Sequence, residues 1–341
     1  MRAIVVRLDN DGDVLLAGPA IRAVAAGADP VTLLCGPRGA AAAALLPGVD
    51  DVLVRRAEWI DPEPPPVDRT DMMAYVDAIA ARRADVAVVL TSFHQSPLPA
   101  ALLLRLAGVP RIGAISEDYP GSLLDVRLPD PGDVPEARRA LGVAAGLGFA
   151  LPAGDDGALR VRAADPGVDL PARFVVVHPG ASVPARAWAP DRHRALVAAL
   201  AGAGRNVVVT GGPAERELTG HVAGHRGIGR VHDLGGATTL AQLAGVLARA
   251  DAVIVGNTGP AHLAAAVGTP VVSLFAPTVP AARWRPWAVP HELLHQEVPC
   301  AGCRARTCPV AGHPCLTGVT VADVVAALGR LVPDGVEVLA A

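Results

Sequence analysis

Residues 252–274 form the stretch that decides the fold, AVIVGNTGPAHLAAAVGTPVVSL. It opens with a short β-branched run at 252–255, continues with a helical pattern at 259–267 and ends with a second apolar run at 270–274. Both runs lack the strict alternation of a half-exposed strand, which is typical of strands buried on both faces of a sheet. Strand, helix and strand joined by such short connections predict a parallel, doubly wound sheet.

The same alternation recurs on both sides of this stretch. It lapses over residues 116–172, which are rich in proline and glycine and hold one predicted helix at 134–141. We therefore expect an α/β protein of two similar lobes with a cleft between them, in which ligands bind beyond the carboxyl ends of the strands. The predicted domains are 1–165 and 166–341. The other predicted strands are 31–35, 52–54, 86–90, 112–115, 174–177, 206–210 and 230–233, and the other helices are 14–26, 70–83, 97–107, 191–203, 214–224, 239–249 and 320–331.

Composition and charge exclude several classes of protein. The 341 residues are 51% hydrophobic and 18% charged, which supplies enough apolar side chains for a well-packed core. The formal net charge is −3, so binding to the phosphate backbone of a nucleic acid has little support. Charged residues interrupt the first apolar run, so it does not resemble a signal peptide, and no uncharged run is long enough to span a bilayer. We therefore expect a cytoplasmic protein.

The first candidate site follows the opening strand, where the sequence reads Asp9-Asn10-Asp11-Gly12-Asp13. Gly12 permits a tight turn. Asp13 would then lie in the first turn of a helix, where the backbone amides and the helix dipole favour its ionised form. A carboxylate at the carboxyl end of a strand, facing a cleft, can serve as a general base. The alternative is that Asp13 is a plain N-cap residue.

A second candidate site follows the strand at 174–177. A proline-glycine turn and several small residues lead to Ser182 and Arg186. Such a loop lets backbone amides approach an anion, and the guanidinium of Arg186 suits a phosphate. The alternative is a surface loop with a solvated arginine.

A third candidate site follows the strand at 206–210 and contains Thr210, Gly211 and Glu215. Glycines at such a strand-to-helix junction allow a ligand to approach the backbone closely. Glu215 can accept hydrogen bonds from hydroxyl groups, or it can simply favour the start of a helix.

The turn inside the opening stretch is a fourth candidate site. Its strand ends before Asn257, and a helix begins around Thr258, Gly259 and Pro260. Free amides at a helix start can bind a phosphate, and the Asn257 amide can both donate to and accept from sugar hydroxyls. His262 lies about one turn into the helix, where it is either part of the site or a packed structural residue.

Four of the five cysteines form the pattern C-x2-C-x4-C-x6-C, at Cys300, Cys303, Cys308 and Cys315. An odd number of cysteines and no export signal argue against a disulfide framework. Four soft ligands at short spacing could form a closed tetrahedral zinc site, whose role would be structural. The alternative is a set of reduced thiols in a loop without metal.

In this order, the motifs resemble glycosyltransferase family 9, the ADP-heptose:lipopolysaccharide heptosyltransferases, over nearly the whole chain. Residues 12–15 match the family's G-D-x-L segment, and 178–188 resemble its HPGA…K-x-W segment with Arg186 in place of lysine. Residues 257–266 resemble its D-[ST]-G-x-x-H-x-A-A-A segment, and 300–315 its late cysteine segment. Asn257 stands where the family carries aspartate; it keeps the shape and loses the charge, which bears on the donor sugar more than on the reaction.

The resemblance implies a GT-B fold, in which two Rossmann-like doubly wound domains face a central cleft. The N-terminal domain would bind the acceptor, with Gly12 and Asp11 on the acceptor side and Asp13 as the general base. The reaction would invert the anomeric carbon of an ADP-heptose-like nucleotide-diphosphate sugar and need neither metal nor cofactor. In the C-terminal domain, the implied donor-binding residues are Ser182, Arg186, Thr210, Gly211, Glu215, Asn257, Thr258, Gly259, Pro260 and His262.

Two other functions fit the same architecture: a GT-B-like nucleotide-sugar epimerase, which needs no acceptor, and a non-catalytic nucleotide-sugar-binding protein. A dinucleotide oxidoreductase is disfavoured, because no G-x-G-x-x-G follows the first strand. The motifs do not encode the acceptor, which can be the lipopolysaccharide core, another cell-wall glycan, a lipid-linked glycan or a metabolite. We expect membrane contact only through a lipid-linked acceptor. The sequence does not predict the oligomeric state.

Overall fold

The computed structural model describes residues 1–224 and 229–333. The chain divides into two compact units, Met1–Arg162 and Ala163–Ala341. The sequence analysis put the domain boundary between residues 165 and 166, in the same proline-rich connection.

The N-terminal unit contains a parallel sheet of six strands in the order β3-β2-β1-β4-β5-β6. The central strand β1 is bonded on both sides, so that Val5 pairs with Leu33 and with Val88. The strands are β1 Ala3–Arg7, β2 Val31–Cys35, β3 Asp51–Val54, β4 Val86–Val89, β5 Arg111–Ile115 and β6 Val126–Leu128. The helices are α1 Asp11–Leu16, α2 Gly18–Ala25, α3 Ala40–Ala43, α4 Arg69–Ala80, α5 Leu98–Leu106 and α6 Glu136–Gly146.

The C-terminal unit contains a second parallel sheet of six strands in the order β12-β11-β10-β7-β8-β9. Its strands are β7 Val175–His178, β8 Val207–Val209, β9 Val231–Asp233, β10 Ala252–Gly256, β11 Val271–Leu274 and β12 His291–Leu294. Its helices are α7 Pro190–Gly202, α8 Arg216–Ala223, α9 Leu240–Arg249, α10 Gly259–Ala266, α11 Ala281–Trp284, α12 Pro314–Thr317 and α13 Val321–Leu331. The prediction of two parallel, doubly wound sheets is confirmed.

The predicted helix at 14–26 was wrong in one respect, because the structure forms two helices there. Helix α1 starts three residues earlier, at Asp11, and ends at Leu16. Ala17 separates it from α2, in whose first turn Pro19 lies. Proline is tolerated in a first turn but has no N–H to continue the preceding helix. The break leaves α1 as a short helix whose first turn lies where β1 ends.

The sequence analysis missed two edge strands, β6 and β12. Strand β6 has three residues, and none of them is fully buried. Strand β12 reads HELL and is only partly buried along its length. Neither strand shows the continuous apolar run that marks a central parallel strand. Consequently, the segment at 116–172 is more ordered than predicted: it contributes β6 and the helix α6 to the N-terminal unit.

The core of each unit lies around its central strands. In the first, Ile4, Val6 and Ile112 pack with the helices, and in the second, Val175, Ile254 and Val272 do the same. Burial of these side chains from water is the main stabilising contribution to both units. Among the described residues, no helix is both long enough and apolar enough to cross a bilayer.

Candidate functional site

In the N-terminal unit, Asp13 lies in the first turn of α1, just beyond the carboxyl end of β1. The N-cap position of α1 is Asn10, so the alternative that Asp13 is a plain N-cap residue is wrong. Oδ1 of Asp13 accepts a hydrogen bond from Nη2 of Arg7 at 3.0 Å, and the Asp13 side chain is 19% exposed. The carboxylate is therefore held by a charge-assisted bond and still reachable from solvent.

The two residues before Asp13 have structural partners. Gly12 is buried within α1 and has helical backbone angles, so the expected tight turn is wrong. Oδ1 of Asp11 accepts a hydrogen bond from the amide of Ala42 at 3.0 Å. Burial raises the pKa of Asp11, and the bond from Ala42 opposes that shift. Asp11 thereby connects α1 to α3.

Sequence reasoning missed Arg7, whose guanidinium lies at the centre of a buried polar cluster. Its Nε lies 2.9 Å from Oδ2 of Asp9, and its Nη1 lies 3.8 Å from Oε2 of Glu136. Nη2 donates to Oγ of Ser92 at 2.9 Å. Burial raises the pKa of Asp9, whereas the positive charge of Arg7 lowers it. The one available signal was a charged residue that ends an otherwise apolar buried strand.

In the C-terminal unit, four loops meet at one edge of the sheet. Strands β11, β10, β7 and β8 are parallel neighbours, so their carboxyl ends lie side by side. The three predicted donor-binding segments follow β7, β8 and β10, and the loop after β11 is the fourth. Side-chain contacts join these four loops to one another.

The loop between β10 and α10 contains two buried polar atoms that lack a hydrogen-bond partner. Asn257 is 6% exposed, and its Nδ2 donates to the carbonyl of Ala276, in the loop after β11, at 3.2 Å. Within the described part of the chain, Oδ1 of Asn257 and Oγ1 of Thr258 are buried with no partner. A buried acceptor without a partner is costly. A ligand that donates a hydrogen bond here would remove that cost.

The start of α10 offers fewer amide donors than predicted. The amide of Thr258 donates to the carbonyl of Gly256, and the amide of Ala261 donates to the carbonyl of Thr258. Pro260, in the first turn, has no N–H. The amide of Gly259 and the helix dipole are what remains for an anion. His262 follows within α10 and is buried.

Arg186 lies against this loop. A Cβ atom at Gly256 would lie 3.2 Å from the Arg186 carbonyl oxygen, so the glycine allows the two backbones to approach closely. Nε of Arg186 donates to Oγ1 of Thr278, in the loop after β11, at 3.3 Å. Thr278 is a second residue that sequence reasoning missed. Ser182 lies four residues before Arg186 and is exposed.

Glu215 lies between the loops that follow β7 and β8. Its Oε2 accepts a hydrogen bond from the amide of Gly212 at 2.7 Å and lies 3.9 Å from Nε2 of His178. Its carboxylate lies directly over Gly180. His178 is buried, and this burial lowers its pKa, although the charge of Glu215 opposes the shift. A neutral His178 beside a partly exposed carboxylate is therefore the expected state at neutral pH.

Two of the predicted donor contacts have a packing role. Thr210 is fully buried, and its Oγ1 lies 3.0 Å from Nδ1 of His178. A Cβ atom at Gly211 would lie 2.7 Å from Cγ2 of Thr219, so the glycine is required by packing in the unit itself. These two residues hold His178 and the β8 loop in place.

The four clustered cysteines line one small pocket in the C-terminal unit: Cys300, Cys303, Cys308 and Cys315. Burial raises the pKa of the Cys315 thiol, and the neighbouring Cys308 adds to the effect. The Cys308 thiol contacts the carbonyl of Val310 at 3.5 Å. Across the described residues, no three histidine, cysteine or acidic side chains are arranged as ligands of a metal ion. The structure thus brings the four cysteines together at one pocket, and zinc binding there stays a prediction.

Comparison with known proteins identifies a family. Residues 73–313 match the model of glycosyltransferase family 9 (heptosyltransferase). The chain is 31% identical to lipopolysaccharide heptosyltransferase 3 of Escherichia coli over 169 residues, which are 47% of each protein. The alignment thus spans about half the length of this curated relative.

Two solved structures share the fold over nearly the full length of the chain. The glycosyl transferase family 9 structure from Veillonella parvula matches with a TM-score of 0.76 and 17% identity, over 98% of this chain and 97% of that one. An E. coli heptosyltransferase solved with ADP matches with a TM-score of 0.72 and 18% identity, over 97% of this chain and 100% of that one. The predicted fold class, two Rossmann-like domains of the GT-B type, is confirmed.

Proposed function

The chain belongs to glycosyltransferase family 9, and we propose on this basis that it transfers a sugar from a nucleotide-diphosphate donor to a hydroxyl group of an acceptor. The donor sugar is a heptose or a related sugar. The N-terminal unit binds the acceptor, and the C-terminal unit binds the donor.

The observation that carries the proposal is the meeting of loops at the carboxyl edge of the second sheet. The backbone of Arg186 approaches Gly256 there, just before the unpartnered buried oxygens of Asn257 and Thr258, and its guanidinium hydrogen-bonds to Thr278 in the loop after β11. A guanidinium and a helix start at the same edge of a sheet suit the diphosphate of a nucleotide sugar. The unpartnered oxygens suit the hydroxyl groups of its sugar. Oδ1 of Asn257 can accept a hydrogen bond from such a hydroxyl, and the Thr258 hydroxyl can accept one or donate one. The relative solved with ADP supports an adenosine diphosphate donor.

The remaining donor contacts follow from the same arrangement. Glu215 is partly exposed and accepts hydrogen bonds from the ribose hydroxyls of the nucleotide. Ser182 and the amide of Gly259 donate to phosphate oxygens. His262 and Pro260 shape α10 beneath the donor.

The proposed reaction is a single displacement with Asp13 as the general base. Asp13 takes the proton of the acceptor hydroxyl as its oxygen bonds to the anomeric carbon. The bond from that carbon to the diphosphate oxygen breaks on the opposite side, which inverts the configuration. The departing diphosphate gains negative charge, and Arg186 with the α10 dipole stabilises this charge in the transition state. In this proposal these groups take the place that a metal ion would fill, so none is required.

The acceptor is a hydroxylated glycan, a lipid-linked glycan or a metabolite. The curated relative is a lipopolysaccharide heptosyltransferase, which supports an acceptor of the lipopolysaccharide core type. The proposal places the reaction in the cytoplasm, with membrane contact only through a lipid-linked acceptor.

A panel of ADP-, GDP-, UDP- and dTDP-sugars tests the proposal. Binding of one donor class raises the melting temperature by mass action, and the same donor then releases its nucleoside diphosphate when candidate acceptors are added, with and without EDTA. Loss of turnover in EDTA would contradict the metal-free mechanism. Donor that is converted to another sugar nucleotide without any acceptor would favour an epimerase, and binding without turnover would favour a non-catalytic protein.

A further inference from the structure

The three carboxylates around Arg7 approach different nitrogen atoms of the guanidinium. Asp9 lies at Nε and Asp13 at Nη2, each within 3.0 Å, while Glu136 lies 3.8 Å from Nη1. The arginine side chain is only 4% exposed. Nη2 forms hydrogen bonds, whereas the contacts at Nε and Nη1 are ion pairs. A rotation of the guanidinium away from these carboxylates would leave a buried charge unpaired.

The partners of Arg7 are themselves fixed by other elements. Oδ1 of Asp9 accepts a hydrogen bond from Nε2 of Gln95, in the loop after β4, at 2.5 Å. Glu136 is the first residue of α6 and is 3% exposed. Ser92, also after β4, shares Nη2 with Asp13. The guanidinium is thus located by β1, by the β4 loop and by α6 together.

A second buried arginine in the same unit shows what packing alone requires. Arg22 forms a two-pronged pair with Asp155, at 2.7 and 2.9 Å, and donates to the carbonyl of Ala158. One carboxylate neutralises it. Around Arg7, three carboxylates instead approach one guanidinium, and Arg38 lies near enough to lower the pKa of Asp9. The pairing of Arg7 is therefore not the one-to-one pairing that neutralises Arg22.

We propose that Arg7 is a positioning residue for the reaction, which holds Asp13 in the orientation of a general base. The inference rests on the proposed function. Asp13 is the most exposed of the three carboxylates, at 19% against 9% for Asp9 and 2% for Glu136, so it is the one that an acceptor can reach. Arg7 occupies its Oδ1 and leaves Oδ2 to take the acceptor proton. Helix α1 has only six residues, so the ion pair rather than the helix sets the direction of the carboxylate.

The position of Arg7 does not depend on Asp13 alone. When Asp13 takes the acceptor proton, Arg7 keeps Asp9 and Glu136 as partners and stays in place.

Two variants of Arg7 and one matched control test the inference. Arg7→Met removes the charge, and we expect kcat to fall at least about 100-fold, the usual contribution of a well-placed general base. The dissociation constant of the donor, measured by calorimetry, should stay within about twofold, since the donor binds the other unit.

Arg7→Lys keeps the charge and loses the planar fork. We expect kcat of Arg7→Lys to fall less than that of Arg7→Met, because the positive charge beside Asp13 is kept. Arg22→Lys, the control, should lower the melting temperature and leave kcat unchanged. If Arg7→Met does not fold, Arg7→Lys alone tests the inference. A kcat of Arg7→Lys equal to that of the wild type would overturn the positioning role.

Turnover is followed as release of nucleoside diphosphate from the donor found in the panel, with the acceptor or with water as the acceptor. Active Arg7→Met beside an inactive Asp13→Asn would overturn the inference and leave the proposed function intact. A fall in kcat of the same size in Arg7→Met, Arg7→Lys and Arg22→Lys would reduce Arg7 to a structural role. A wild-type protein that releases no diphosphate from any donor would overturn the proposed function, and the inference with it.

Discussion

The carboxylate of Glu215 fills the space directly above Gly180, where any other residue would place its Cβ atom. A Cβ atom at this position would lie 2.0 Å from Oε1 of Glu215 and 2.6 Å from Oε2. Glu215 is anchored there by the amide of Gly212. The glycine of the loop after β7 therefore determines where the carboxylate of the β8 loop lies.

Gly180→Ala should weaken donor binding without unfolding the protein. The added methyl group forces the end of a flexible side chain to move, which costs little stability, but it displaces the carboxylate proposed to bind the ribose. Loss of a hydrogen bond to a charged group corresponds to about 1.5–3 kcal/mol, or roughly 10- to 100-fold in the dissociation constant. Calorimetry with the nucleoside diphosphate measures the change. Gly202→Ala is the matched control, because a Cβ atom there meets nothing within 4 Å; equal affinity in both variants would contradict the role of Glu215.

Asp13→Asn should abolish turnover and leave donor binding in place. The amide keeps the shape of the carboxylate and cannot accept the acceptor proton, so we expect kcat to fall by about 100- to 10,000-fold. Single-turnover kinetics and calorimetry with the donor separate the two effects. Asp77→Asn, an exposed position on α4, serves as the control and should behave as the wild type. A kcat of Asp13→Asn within about threefold of the wild type would show that another group is the base.

Arg186→Ala should weaken binding of the nucleoside diphosphate. Arg186 is half-buried and its guanidinium hydrogen-bonds to Thr278 in the loop after β11, so its attraction for a phosphate is screened less than that of a surface charge. We expect a loss of at least about tenfold in affinity for ADP, with a smaller loss for AMP, which carries less charge. Arg173→Ala is the control: Arg173 is exposed and pairs with Asp251 just before β7 and β10, at the opposite edge of the same sheet. Equal losses in the two variants would mean that Arg186 acts only through net charge.

The sequence predicted best what depends on short segments of chain. The strand-turn-helix junctions at Asp13 and at Asn257 are visible because apolar runs, small residues and a helical pattern follow one another without a gap. The partners of these residues are not visible in this way. Arg7 meets Glu136 only because α6 packs on the sheet that contains β1, and Asn257 meets Ala276 only because β10 and β11 are neighbours. The sequence predicted that Gly211 binds the donor. Only the position of Thr219 in the structure shows that packing requires a glycine there.

The C-terminal unit should lose stability in acid through His193. This residue of α7 is 1% exposed, packs edge-to-face on Trp188 with ring centroids 5.0 Å apart, and burial lowers its pKa to about 3. In the unfolded chain, a histidine takes up its proton near pH 6.5. The unfolded state therefore binds more protons between these two values, so stability is lost as the pH falls from about 6.5 towards 3. Between pH 7 and pH 5, this one group should lower the free energy of unfolding by about 2 kcal/mol.

Urea unfolding of the full chain at pH 7 and pH 5, followed by tryptophan fluorescence, measures this loss. His193→Leu replaces the titrating group by an apolar side chain of similar size. The free energy of unfolding of this variant should therefore fall by about 2 kcal/mol less than that of the wild type between pH 7 and pH 5. His178 remains in both proteins, and its lowered pKa contributes equally to each. If His193→Leu and the wild type lose the same stability between the two pH values, the buried histidine is protonated in the folded protein and the acid sensitivity has another source.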